Sequence, residues 1–354
     1  MTDLWSYLKN SAKPIVLYGI GNGADKVVKK LNDDSVEISG VFSSSGFKKN
    51  KMYAGHIIKD YTTLKNELRN MIVLVCFGSH LPEVMENVKK LAKENELYIP
   101  DVPVAGNVIF DTEFARNHRN ELEAVYEKLA DEKSKQTMEA FLDCCINGNG
   151  EALEALKETG QYFNPLTENC RADNFIDCGA FIGDTIEDAV NFYGDRVKKF
   201  VSFEPDTINL AKLKERVNAC GVSDDRLTLV AKGSWSGPDT LRFSSAGSSS
   251  GITDDGDIVI EVDSIDNVLK KEGLSADFIK MDVEGSEKQT LIGAAATIKA
   301  YHPTLAVCAY HKPWDLPELT AQIEEIAGDD VYDFYLRYYG PSLVELVLYA
   351  IPKE

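Results

Sequence analysis

Residues Asn174–Thr185 read NFIDCGAFIGDT. An apolar run ends in an acid, turns on small residues and enters a helix-like segment. That order of strand, small-residue loop and helix marks a cofactor-binding α/β unit. A loop of similar shape lies upstream in PIVLYGIGNGADKVVKKL, Pro14–Leu31. The strand that follows each loop decides between them.

Upstream, Gly19–Ala24 fits the start of G-x-G-x-x-G, with Ala24 at the last glycine. A dinucleotide fold places an acid at the end of the next strand, roughly 20 residues on, for the ribose hydroxyls. Here EISGVF runs into Ser43, Ser44 and Ser45, which supply no charged acceptor. NAD is therefore disfavoured, and a nucleotide-sugar site or a structural turn is expected. Downstream, KKFVSFEP ends in Glu204, about 21 residues past Gly183, where a carboxylate can accept two hydrogen bonds from a ribose diol. Gly179, Ala180 and Gly183 let backbone amides approach a ligand. Asp177 at the strand end would repel a pyrophosphate but suits a cationic amine. S-adenosylmethionine has that chemistry, with a sulfonium, an amine, a ribose and an adenine but no phosphate.

A chain of 354 residues is longer than one core usually fills. From about residue 14 to 110, strand-like and helix-like runs alternate, so residues 1–110 are expected to form a small Rossmann-like α/β domain. Residues 111–170 carry apolar positions at helical spacing with charge between them, which reads as a helical connector. Residues 171–354 return to stronger alternation and read as a larger doubly wound sheet. Phe243–Asp257, FSSAGSSSGITDDGD, interrupts it as a hairpin, a linker or a mobile lid.

Composition narrows the function classes. Apolar runs such as MIVLVCF and LVELVLYAI are too short to span a bilayer, and MTDLWSYLKNSAKP lacks the pattern of a secretory signal, so a cytoplasmic protein is expected. A net charge of -19 would repel a phosphate backbone, which argues against a nucleic-acid partner. Seven cysteines without a C-x-x-C pair read as reduced thiols.

From about Tyr162 to the C-terminus, the pieces QYFNP, FIDCGAFIGDT, FVSFEPD, AKGSWS, DSIDNVL, DFIKMDVEGSE with GAAATI, HPTLAVCAYH, YDFYLRYYG and ELVLYAI occur in an order that resembles the FkbM family of S-adenosylmethionine-dependent methyltransferases. The resemblance implies a class I methyltransferase fold, with a mostly parallel seven-stranded sheet whose last strand is inserted antiparallel. It also implies methyl transfer, usually to oxygen. Residue by residue, it puts Asp177, Gly179, Ala180, Gly183, Asp184 and Thr185 on the amino-acid side of the cofactor and Glu204 on the ribose, with Pro205 and Asp206 shaping that turn. Lys232, Gly233, Ser234 and Trp235 follow the third strand, where this fold meets adenine; Trp235 reads equally as a packed aromatic. The N-terminal part more loosely resembles the small Rossmann-type domain of some members and of some sugar-modifying enzymes.

Transfer of a methyl group to a hydroxyl needs an oriented acceptor and a route for its proton. Asp282 and Glu284 follow the fourth strand and His311 the fifth, all at one rim of such a sheet. Glu284 or His311 is the expected base, with Asp282 orienting cofactor or acceptor. No metal is expected to be required; the alternative is a divalent cation held by Asp282, Glu284 and His311. The expected activity is O-methylation of a hydroxyl on a sugar, glycan precursor or related small molecule. One alternative is a non-catalytic cofactor- or nucleotide-sugar-binding protein, against which Asp177, Glu204 and Asp282 speak. The other, an NAD-dependent nucleotide-sugar oxidoreductase, lacks its acid after EISGVF.

Overall fold

Short apolar runs become buried strands. In the computed structural model, which describes residues 3–44, 51–79, 81–244, 251–252, 256, 258–341 and 343–353, IVLY and IVLV form β1 (Ile15–Tyr18) and β3 (Ile72–Val75), buried at every position. With β2 (Gly40–Phe42) and β4 (Glu96–Tyr98) they make a parallel sheet of order β2-β1-β3-β4. Ile15 and Leu17 enter one core cluster and Val16 and Tyr18 another. A strand covered on both faces reads as a continuous apolar run instead of an alternating one.

The chain divides into two compact units, residues 1–122 with 135–157 and 340–345, and residues 123–134 with 158–339 and 346–354. Helices Thr112–Asn117, Arg119–Lys128, Glu132–Asn147 and Glu151–Glu154 lie in the stretch that this division shares out. Among the described residues no helix is long and apolar enough to cross a membrane.

Among the described residues the main sheet of the second unit has seven strands: β5 (Asn174–Cys178), β6 (Lys199–Phe203), β7 (Leu227–Val230), β8 (Phe278–Met281), β9 (Thr304–Cys308), β10 (Tyr332–Tyr338) and β11 (Leu346–Pro352). Their order is β10-β11-β9-β8-β5-β6-β7. Strands β5 to β9 pair in parallel, and β11 lies antiparallel between β9 and β10. This is the doubly wound α/β sheet that the motifs implied. Strand order reverses at β5, so the ligand crevice of such a sheet opens at the carboxyl ends of β5 and β8.

One expected strand goes elsewhere. DIVIEVDS forms Ile258–Asp263, which joins Gly233–Ser234, Asp239–Ser244 and Gly251–Ile252 in a separate sheet. Four of its six residues are exposed or half-buried, whereas the central strands of the main sheet are buried throughout. Most of the serine- and glycine-rich Phe243–Asp257 lies outside the described residues.

At the edge of the sheet Arg337 on β10 is only 4% exposed and is held by both Asp131 oxygens, at 2.6 and 3.3 Å, and by Ser134 Oγ at 2.8 Å. Partial burial pushes the Asp131 carboxyl up, but Arg337 and Ser134 outweigh it and hold it down at about 2. A carboxylate depressed in the folded state adds stability above its unfolded value of about 3.9, and that stability is lost as pH falls toward the folded value. The urea midpoint of the wild type should therefore fall more steeply between about pH 5 and about pH 3 than that of Asp131→Asn. Equal slopes would show that the pair adds nothing to acid stability.

Candidate active site

At the end of β5 the chain turns away from the sheet under a steric constraint. Gly179 has φ of +79°, and a Cβ there would stand 1.8 Å from the carbonyl oxygen of Asp282, so only glycine fits. The amides of Gly179 and Ala180 donate to the carbonyl of Phe203 at 3.1 and 3.0 Å, and that of Gly183 donates to Ala180. The close approach that these small residues permit is thus to neighbouring backbone. Gly183, at φ +82°, opens the helix Asp184–Tyr193 and gives it no side-chain cap. The first-turn amides of that helix, around Asp184 and buried Thr185, are what this loop presents to an anionic group.

Asp177 lies inside the sheet, fully buried, and its register partner on β8 is Lys280. Lys280 Nζ stands 3.2 Å from Asp177 Oδ1 and donates to the carbonyls of Gly179 at 2.8 Å and Cys178 at 3.3 Å. Burial pushes the Asp177 carboxyl up and Lys280 draws it down. Burial works against the Lys280 charge too, but Asp177 and Asp282 more than offset it and hold the ammonium above its ordinary range. In this structure the Asp177 charge therefore answers Lys280 beneath the loop.

Glu204 follows β6 and is 6% exposed. Its Oε2 accepts from the Phe181 amide at 2.9 Å and its Oε1 from the Asp206 amide at 2.9 Å, which ties the loop after β5 to the turn after β6. Burial pushes its carboxyl up, against the pull of those amides. Asp206 caps the helix Thr207–Ala219 by accepting from Ile208 and Asn209, which accounts for the turn at Pro205. Phe181 lies beside Glu204 with φ of +45° and stays 44% exposed, a large apolar side chain left at the rim. After β7, Lys232 pairs with Asp263 and Glu261. Gly233 and Ser234 enter the separate sheet, Ser234 Oγ meets Thr290 Oγ1 at 2.9 Å, and Trp235 is half-buried with its amide bonded to Asp263.

The ends of β8 and β9 bring the expected chemical groups together. His311 is fully buried; its Nε2 stands 3.4 Å from Asp282 Oδ1 and 3.6 Å from Glu284 Oε2, too far or too oblique to be hydrogen-bonded. Its Nδ1 stands 2.9 Å from Glu287 Oε1, off the line of a good hydrogen bond. Burial alone would lower the pKa of this imidazole; Glu287 first, then Asp282 and Glu284, carry it up to about 10. These three carboxylates favour the imidazolium form of the ring. Asp282, Glu287 and His311 each bring an atom within 4.8 Å of one another, close enough to share a cation. The Tyr162 hydroxyl donates to Asp282 Oδ2 at 3.3 Å.

Sequence reasoning passed over Glu287, Lys280 and Tyr162, although each lies in a quoted motif. An acid opening a helix reads as an ordinary N-terminal charge. The available signal for Lys280 was a lysine within the otherwise apolar buried run FIKM.

The first unit has its own glycine loop. A Cβ on Gly23 would stand 2.3 Å from the Cys76 carbonyl and one on Gly19 2.5 Å from Phe77, so both glycines serve packing. Where a ribose-binding acid would stand, Ser43 is buried and Ser44 Oγ meets the Tyr18 hydroxyl at 2.9 Å.

Comparison with known proteins bears on the second unit. Residues 177–334 match the methyltransferase FkbM domain. Among solved structures the chain is similar to a methyltransferase FkbM from Methylobacillus flagellatus, at 22% identity and a TM-score of 0.70, over 96% of this chain and 90% of that one. It is also similar, at 12% identity and a TM-score of 0.35, to a putative O-methyltransferase from Klebsiella pneumoniae, over 69% of this chain and 98% of that one. No curated protein matches. The match runs from the end of β5 to the sixth strand of that sheet, and with the fold it marks residues 177–334 as a methyltransferase FkbM domain.

Proposed function

We propose that the protein transfers a methyl group from S-adenosylmethionine to a hydroxyl, on a sugar, a glycan precursor or a related small molecule. The observation that carries this reading is that the loop after β5 and the acid cluster after β8 adjoin. The Asp282 amide donates to the Cys178 carbonyl at 3.1 Å, and its own carbonyl fills the space that Gly179 leaves. A cofactor on that loop and an acceptor at that cluster would be neighbours.

The donor set fits the cofactor. The uncapped first turn at Asp184 and Thr185 suits the carboxylate of the methionine moiety, the net negative charge of the rim suits the sulfonium and amine, and Glu204 suits the ribose diol. When bound, the cofactor supplies an electrophilic methyl group and leaves as the neutral thioether. Asp177 and Lys280 hold the loop from below. The carboxylates around His311 favour its protonated form, so we assign that step to Glu284. This residue sits at φ of +53° with its side chain about a quarter exposed, a strained position that keeps its carboxylate at the rim. With the cofactor bound, the acceptor oxygen would take the methyl group as the carbon–sulfur electron pair passed to sulfur, and Glu284 would receive the hydroxyl proton. The contacts of Gly19, Gly23 and Ser44 lend no support to a nucleotide sugar in the first unit.

Binding tests the cofactor assignment without an acceptor. A charged hydrogen bond is worth about 1.5–3 kcal/mol, so Glu204→Ala should weaken S-adenosylhomocysteine about 10- to 100-fold in calorimetry. Unchanged affinity would remove Glu204 from the ribose site, and no binding by the wild type would remove the cofactor.

A further inference from the structure

Glu287 opens the seven-residue helix Glu287–Gly293 and is fully buried, a costly place for a carboxylate that only capped a helix. Its Oε1 does three things at once. It accepts from the amides of Val283, at 3.0 Å, and Gly285, at 3.4 Å, and it stands 2.9 Å from His311 Nδ1. The two amides flank Glu284, whose backbone is in the left-handed region, and the histidine comes from the next strand of the sheet. One buried oxygen thus joins the loop after β8 to the segment after β9.

We propose that Glu287 is the positioning residue of this rim, seating the His311 ring from behind while it pins the loop that carries Asp282 and Glu284. Its role runs through His311: with the ring fixed, Nε2 faces Asp282 and Glu284 together, and one positive charge keeps two like charges side by side. Without that charge the two carboxylates would repel and the loop would open. Charged groups face the ring from several segments. Glu287 lies behind it, Asp282 and Glu284 in front, and Asp315, 4% exposed, approaches from the helix Asp315–Ala327. Burial and the Glu287 charge push the Asp315 carboxyl up to about 7, and its Oδ2 accepts from the Lys312 amide at 2.7 Å. Lys312 Nζ in turn donates to the Gly285 carbonyl, a second tie on the same loop. Burial pushes Glu287 itself up, but His311 and the Val283 amide hold it below the usual carboxylate range.

The inference rests on reading this rim as the acceptor end of a methyltransferase, yet its test reads the histidine alone. In full-length protein labelled with 15N-histidine, His311 is assigned by the signals missing from His311→Gln. The wild-type ring should stay doubly protonated through neutral pH. Glu287→Gln keeps the shape and an oxygen for the two amides, so it removes the charge and little else. His311 should then lose at least tenfold in proton affinity, a shift that an acid serving the two amides alone would not cause. A midpoint that moves by less than twofold in affinity overturns the proposal. If Glu287→Gln does not fold, the wild type still decides, because a His311 titrating at the ordinary value of about 6.5 overturns it without any variant. S-adenosylhomocysteine affinity, measured beside it in the wild type, separates this outcome from failure of the cofactor reading.

Discussion

Replacing Lys280 with methionine is expected to destabilise the second unit by about 3–5 kcal/mol, a large part of the roughly 5–15 kcal/mol that holds a typical domain. The reason is the partner left behind. Asp177 is fully buried, Lys280 is almost so, and the 3.2 Å contact between them is the closest counter-charge to that carboxylate. Lys280 Nζ also donates to the Cys178 and Gly179 carbonyls, so methionine leaves those loop oxygens without their donor. Methionine keeps a similar volume but loses both the charge and the N–H donors. If the residual charge causes the loss, Asp177→Asn added to Lys280→Met should restore part of it, because an amide is cheaper to bury than an unpaired carboxylate. Urea unfolding of the four proteins in that cycle checks both statements. A loss below about 1 kcal/mol in Lys280→Met would mean that the pair does not hold the loop.

The sequence disclosed what depends on chain-local chemistry. IVLY and IVLV declare themselves as strands because buried parallel strands are apolar at every position, FIKM does so but for its lysine, and Glu204 is found by counting from Gly183 to the next strand end. Partnerships made across the sheet were hidden. Asp177 stands opposite Lys280 only through the register of β5 with β8, so a carboxylate that reads as a strand-end ligand turns out to have a cation beside it. The amides of Gly179 and Ala180 belong to the Phe203 carbonyl by virtue of the same sheet. Glu287 was obscured by its surroundings, since an acid at the start of a helix needs no partner to be explained, whereas full burial beside His311 does. DIVIEVDS was read as a strand, and it is one; that it leaves the main sheet follows from its half-exposed faces, which a count of β-branched residues does not resolve.

Glu284→Gln is expected to lower turnover by about 100- to 10,000-fold while leaving S-adenosylhomocysteine affinity nearly unchanged, because a positioned general base contributes on that order. Glutamine keeps the length and the hydrogen-bonding oxygen, so the lost property is the ability to receive the acceptor proton. Cofactor affinity should hold because the residues assigned to the cofactor, Glu204 and the first turn at Asp184 and Thr185, lie on other segments of the rim. His311→Ala should behave differently. Removing the charge shared by Asp282, Glu284 and Glu287 leaves three carboxylates facing one another, so both turnover and stability should fall. The assay follows S-adenosylhomocysteine release over a panel of hydroxylated sugars and glycan precursors, with and without chelator. A wild type that loses its turnover to chelator and regains it with magnesium or manganese would assign activation of the hydroxyl to a metal ion in place of Glu284. Full turnover in Glu284→Gln without such metal dependence would place the proton elsewhere and leave proximity to the sulfonium as the source of the rate.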